Sequence, residues 1–424
     1  MAEEVLAAAR VITGEQTLAD GAVVIGARTV EWAGPAVAVP AQYAAWPRTD
    51  YPGSAILPGL IDSHVHLGFD GGPDPVGRMR AETDAQQLVL MLRSARELLG
   101  VGVTTARDLG ARSGLDVVVR DAITEGMAPG PRMVVANSPV TVTGGHCWFM
   151  GGEADSEDDL RRIVRSHHKH GADLIKVMST GGFMTGGSAP WYAQFSVAQL
   201  AVVVAEAKRL DKAVAAHAHG VEGIRRAVEA GVTTIEHCSF VTETNDRRYD
   251  ERLADQIAER GIFVCPTINV NAPYVAELTG RAVGENVMKM RAAGVRIIAG
   301  TDSGVGNCPH HQYAGGLQSL VNLLGFQPAE VITMATTEAA AALGLGSVTG
   351  RLAPGFDADL IVVDGDPEAD IAALGRLRRV IARGRDYVPE SGRFDVSAPG
   401  TPYADPDRRA HLRQVIEAAR RRRL

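Results

Sequence analysis

Between residues 56 and 302 the chain alternates short apolar runs, rich in β-branched residues, with longer stretches of helical periodicity. Strand-like runs fall at 56–66, 102–108, 132–138, 172–179, 213–219, 233–237, 261–267 and 295–302. Amphipathic stretches at 85–99, 157–170, 197–210, 221–230 and 250–260 lie between them. Fully buried strands read as continuous apolar runs, whereas helices repeat apolar positions every three or four residues. Gly100, Gly171, Gly231 and Gly261 close four of the helical stretches, where a helix C-terminus favours glycine. Eight strands alternating with helices predict an α/β fold, a (β/α)8 TIM barrel. The two ends of the chain read differently. Strands at 5–12, 21–25 and 29–32, and again at 358–363 and 379–382, predict a small β-sandwich-like module built from both termini. The expected division is 1–56 with 350–398 for that module, 57–349 for the barrel and 399–424 for a helical tail.

Composition narrows the class of protein. The chain has 424 residues, 46% hydrophobic and 22% charged, which suits a soluble globular chain with more than one small domain. A net charge of -7 offers no electrostatic footprint for nucleic acid. The one basic run, Arg420, Arg421, Arg422 and Arg423, reads as the solvated end of a helix over 407–423. Cys147, Cys238, Cys265 and Cys308 lack C-x-x-C spacing and read as free thiols in a reducing compartment. The first residues carry Glu3 and Glu4 without a long apolar core, and no run reaches membrane-spanning length. A cytoplasmic protein with a small-molecule substrate and no membrane partner is expected.

The chemistry gathers at the predicted strand ends, where barrel enzymes build their sites. His64-Val65-His66 follows the apolar run Leu57-Pro58-Gly59-Leu60-Ile61-Asp62. Alternate residues of a strand share a side, so both imidazoles can meet one ion. Lys176 interrupts Leu174-Ile175-Lys176-Val177-Met178, where an ordinary ammonium would be expensive to bury. Carbamylation by CO2 would replace that cation with an anion able to bind two metals. His217, His219 and His237 end two further runs, and Asp302 ends the last. Asp302 is placed to bind metal and to take a proton from water. By contrast His168-Lys169-His170, beside His167, reads as a solvated helix face, and Thr301 as a structural hydroxyl.

The set Asp62-Ser63-His64-Val65-His66, Ile175-Lys176-Val177, Ala216-His217-Ala218-His219, Ile235-Glu236-His237 and Gly300-Thr301-Asp302 resembles the amidohydrolase superfamily. Gly355-Phe356-Asp357-Ala358-Asp359-Leu360-Ile361-Val362 resembles its returning strand. The pattern is most similar to the imidazolonepropionase-like group, which includes Xaa-Pro dipeptidases, the ochratoxin amidase and phenylurea and carbamate hydrolases. That resemblance implies two divalent metal ions, zinc being expected, with water held between them. His64, His66 and Asp302 would bind one metal, His217 and His237 the other, and carbamylated Lys176 both. It further implies that His146 meets a substrate carboxylate or carbonyl and that His219 serves the developing oxyanion. Dipeptidase relatives often carry tyrosine at that last place. Trp191, Tyr192, Trp148 and Phe149 are expected to wall an apolar pocket. Gly316-Leu317-Gln318 stands where relatives carry a Gly-x-Asn, so no residue for a substrate amino group carries over. The implied activity is amide hydrolysis of an N-acyl amino acid or dipeptide by a homo-oligomer. The alternatives are a xenobiotic amide or carbamate hydrolase, a cyclic-amide hydrolase and a catalytically silent assembly protein.

Overall fold

The computed structural model describes residues 3–244, 246–279 and 282–390; the expected tail 399–424 and its helix lie outside the described residues. The chain opens with strands β1 Glu4–Ile12, β2 Thr17–Ile25, β3 Val30–Pro35 and β4 Arg48–Pro58. Eight short strands follow: β5 Leu60–Val65, β6 Val103–Asp108, β7 Arg132–Val135, β8 Ile175–Met178, β9 Val214–Gly220, β10 Thr234–Val241, β11 Phe263–Cys265 and β12 Arg296–Ile297. The described region closes with β13 Leu360–Asp364, β14 Leu377–Ala382 and β15 Arg385–Tyr387.

Both ends combine into one sheet of order β15-β14-β13-β4-β1-β2-β3, so the expected sandwich-like module is a single seven-stranded sheet. Strand alternation gives it two faces. Leu57, Ile361 and Val363 point into the barrel's hydrophobic core, while Ile56, Leu360 and Val362 pack with Leu6, Val11 and Val23 on the other side. The sheet is therefore anchored to the barrel by every second residue of its central strands.

The run expected at 56–66 is two strands, because the chain changes sheets at Gly59. A Cβ there would lie 2.0 Å from Thr104 Oγ1 and 2.7 Å from Thr104 Cβ, so rotation of the threonine would not relieve the clash. Only glycine lets β4 and β5 be joined this close to β6.

Strands β5 to β12 are parallel and form two arcs, β5-β6-β7 and β12-β11-β10-β9-β8. Backbone bridges Val140–Val177 and Val65–Ser303 join the arcs at both seams and close the barrel. Helices Asp84–Gly100, Glu157–Lys169, Val197–Arg209, Val221–Ala230 and Glu251–Glu259 fall within two residues of the expected stretches. Thr83, Ser156 and Ser196 open three of them with reciprocal capping boxes. Gly171, Gly231 and Gly261 take positive φ at helix ends, as expected. Gly100 does not; it stays helical, and Gly102 takes φ +88° instead. Among the described residues no helix is long and apolar enough to cross a membrane. All four cysteines are buried and unpaired.

His168, Lys169 and His170 are exposed, as expected of a solvated face, whereas their neighbour His167 is not. Helix Glu157–Lys169 exposes His168 but buries His167, whose Nε2 lies 3.1 Å from Ser138 Oγ. Burial, with His170 close by, pushes its imidazole from the ordinary 6.5 down to about 4. The unfolded chain takes up this proton near pH 6.5, the folded chain only near pH 4. Stability is therefore complete above pH 6.5 and is lost as pH falls towards 4, by about 3 kcal/mol when the whole window is crossed. His167→Asn should flatten the fall in unfolding free energy between pH 7 and 4.5, read from urea titrations, by about 2 kcal/mol. An unchanged slope would show that His167 is not held neutral.

Candidate active site

The barrel strands carry the predicted polar residues to one place. His64 lies on β5, Lys176 on β8, His217 and His219 on β9, and His237 on β10. His66 follows β5 directly, and Asp302 lies in the irregular segment after β12, which leaves the ladder sooner than the expected run 295–302. These residues and His146 line a single cavity of about 430 Å³. His64 and Lys176 are each only 1% exposed. Two donor groups stand side by side. His64, His66 and Asp302 present ligand atoms within 4.8 Å of one another, and so do His217, His219 and His237.

Hydrogen bonds set which nitrogen of each imidazole keeps a free electron pair. His64 Nδ1 lies 2.9 Å from Glu236 Oε2, an acceptor only, so Nδ1 carries the proton and Nε2 faces Asp302 Oδ1 at 3.4 Å. His66 Nε2 approaches the same oxygen at 3.2 Å. His217 Nε2 donates to the Gly181 carbonyl at 2.9 Å, which frees Nδ1. His237 Nδ1 lies 2.8 Å from Thr267 Oγ1. That hydroxyl gives its one proton to the Pro266 carbonyl, so it accepts from Nδ1 and leaves His237 Nε2 free. His219 Nδ1 is held 2.6 Å from Ser239 Oγ, and its ring stacks on His237 with centroids 4.5 Å apart. The site is thus a set of oriented neutral imidazoles and one carboxylate, which is the donor chemistry of a borderline divalent ion.

The electrostatics agree with that reading. Burial holds His217, His219 and His237 well below the ordinary imidazole range and His64 at about 4. Burial alone would raise Asp302, but His64, His66 and Lys176 keep its carboxyl well below the usual carboxylate range. Lys176 Nζ is buried with no hydrogen-bond partner, and burial lowers its ammonium. An unpartnered buried amine is costly, and this one stands among two groups of metal-ligand type. Asp302 (φ +61°), His237 (φ +69°) and Thr267 (φ +51°) all adopt left-handed backbone without being glycine. Such strain gathers where a fold must aim side chains at a ligand.

Other expected residues divide. His146 is buried in the cavity wall with an unpartnered Nδ1, its ring 4.6 Å from His217. Thr301 Oγ1 donates to Asp62 Oδ2 at 2.5 Å, below the site, in the expected structural role. Trp191 and Tyr192 do not line the cavity. Their loop folds back on itself through Gly181 N to Tyr192 O and the Thr180–Ala193 bridge, leaving Tyr192 58% exposed against Trp191. Trp148 faces outward under Arg80, and Phe149 packs among Phe69 and Met150. The apolar wall is made instead by Phe69, Val76, Phe183, Met184 and Val305.

Two residues beneath the site were not singled out from sequence. Arg107 is buried and donates to Glu236 Oε1 at 2.8 Å and to the Ser63 carbonyl at 2.7 Å. Glu236 thereby holds His64 with one oxygen and Arg107 with the other. Burial would raise its carboxyl, but Arg107 and His64 outweigh that and keep it ionised. An arginine inside the strand-like run Val103–Asp108 was the available signal.

Known proteins share this framework. A model described as the amidohydrolase family matches residues 55–385. Ochratoxinase of Aspergillus niger is 30% identical over 407 residues, covering 86% of this chain and 82% of its own. Imidazolonepropionase of Ruegeria sp. (strain TM1040) is 27% identical, covering 87% and 94%. The crystal structure of a Xaa-Pro dipeptidase aligns with a TM-score of 0.81 at 28% identity, over 91% of this chain and 99% of that one.

Proposed function

Because the chain belongs to the amidohydrolase family, we propose that it hydrolyses the amide bond of an N-acyl amino acid or dipeptide. The observation that carries this reading is the unpartnered, buried Lys176 amine in a cavity that also holds His64, His66 and Asp302 on one side and His217 and His237 on the other. His64, His66 and Asp302 would hold one divalent cation and His217 and His237 a second. Lys176 would bridge them as a carbamate, formed when its neutral amine adds to CO2 and loses a proton. Two such ions, zinc being the expected identity, would polarise a carbonyl and make water a nucleophile near neutral pH.

The chain's own residues do the rest. Glu236, fixed by Arg107, holds His64 in the tautomer that turns Nε2 to the site. Asp302 accepts the proton of the attacking water and returns it to the leaving nitrogen. His219, oriented by Ser239, donates to the oxygen of the tetrahedral intermediate. His146, its ring beside that of His217, contacts the substrate. Phe69, Phe183 and Met184 receive an apolar acyl group and keep bulk water from it. The substrate class is supported by the relatives, one named ochratoxinase and another a Xaa-Pro dipeptidase with methionine bound in its active site.

The test is a parallel assay of zinc-reconstituted protein on N-acyl amino acids, Xaa-Pro dipeptides, aryl ureas and a cyclic imidazolone. One of the first two classes should exceed the others in kcat/KM at least tenfold, and chelation should abolish the activity. Faster turnover of aryl ureas or of the imidazolone would overturn the reading.

A further inference from the structure

A second cavity, of about 450 Å³, opens on the far side of the histidines. It shares His219, His237, Thr267 and Asn269 with the first, so the two meet at the proposed scissile position. Its walls are mostly aliphatic: Ile268, Val275, Ala276, Met288, Leu323 and Leu324. Arg247 also lines it, from the segment after β10. Among the described residues no carboxylate forms an ion pair with Arg247. This sets it apart from most arginines of the chain, such as Arg225 and Arg379, which sit between carboxylates. Glu285 belongs to the same cavity but stands exposed. Burial lowers the Arg247 guanidinium to about 10, and among the described residues no anion offsets it. Its charge reaches His219 and, after burial, is the next influence holding that imidazole neutral.

A half-buried guanidinium with no counter-ion among the described residues, beside an aliphatic chamber, is matched to an anion carrying an apolar group. We propose that this chamber binds the amino-acid half of the substrate, its α-carboxylate on Arg247 and its aliphatic side chain among Ile268, Met288 and Leu323. The inference rests on the amide-hydrolase reading for where the bond lies. It deepens that reading to N-acyl amino acids with a free carboxylate and a leucine-like side chain. His146, which lines only the first cavity, is left to the acyl half.

Zinc-reconstituted protein would be assayed on N-benzoyl-L-leucine and N-benzoyl-L-leucinamide by benzoate release, and titrated calorimetrically with L-leucine and L-leucinol. The carboxylate member of each pair should be favoured at least tenfold. Arg247→Met should lower that preference and weaken leucine binding by roughly 100-fold, with zinc content unchanged, while Arg247→Lys recovers part of both. Equal handling of leucine and leucinol by the wild-type protein overturns the proposal, even if R247M fails to fold. So does a parallel loss on both substrates in R247M with leucine affinity intact. Leucine binding that needs Arg247, without turnover of any acyl amino acid, would remove the hydrolase reading and leave this subsite standing. Turnover without carboxylate preference would do the reverse.

Discussion

Replacing Lys176 by alanine is expected to lower kcat/KM at least about 1000-fold and to remove most of the bound metal. The argument is electrostatic. Lys176 is buried at 1% exposure, its Nζ has no partner, and His64, His217 and His237 all feel its charge. As an ammonium it would repel any cation from both donor groups. As a carbamate it becomes an anion with two oxygens, and the repulsion turns to attraction. The two cases are separable by measurement. A bridging carbamate makes zinc uptake by the wild-type apoprotein depend on bicarbonate, and Lys176→Ala should abolish that dependence. Zinc content would be read by atomic emission and turnover on the best substrate of the panel. Full zinc occupancy with wild-type turnover in the alanine variant would show that Lys176 is no ligand.

Asp302→Asn should reduce kcat about 1000-fold, measured at saturating zinc so that loss of a ligand is not mistaken for loss of a base. Asparagine keeps the size and one carbonyl oxygen near His64 and His66, whose Nε2 atoms approach Asp302 Oδ1 at 3.4 and 3.2 Å. It accepts no proton at accessible pH. A variant that retains over a tenth of wild-type kcat at full occupancy would remove Asp302 from the proton path. The backbone supplies a reason why no other residue takes over. Asp302 sits at φ +61° with its amide donating to the His64 carbonyl, so its carboxylate is aimed by the main chain.

Much of this candidate site is legible in the sequence, for local reasons. A histidine at every second position of an apolar run, a lysine inside another, and an aspartate after a third each break the pattern of a buried strand. Burial makes such breaks costly, so they mark places where the fold is paid back by a ligand or a partner. The eight-strand alternation was legible on the same footing, because strand and helix periods differ. Even so, local pattern misplaced details. It joined two strands across Gly59, whose role depends on Thr104, about 45 residues away. It gave His167 no partner, whereas the fold sets Ser138 opposite it.

What the chain determined by itself is therefore the barrel, a β-rich module built from both ends and the ligand-type residues at the strand ends. Each follows from short-range periodicity and from the expense of burying polar groups. What only the tertiary structure decided is which groups meet across the barrel. Arg107, Glu236 and His64 come from three strands and make one chain of hydrogen bonds. Phe183 and Met184 face the cavity while Trp191 and Tyr192, from the same loop, do not, because the loop closes on its own backbone. Arg247 reaches the histidines from beyond β10. Loop conformation and cross-barrel contact carry no periodicity, so nothing in the order of residues announces them. The identity of the metal-ligand candidates is local information, whereas the shape of what they act on is not.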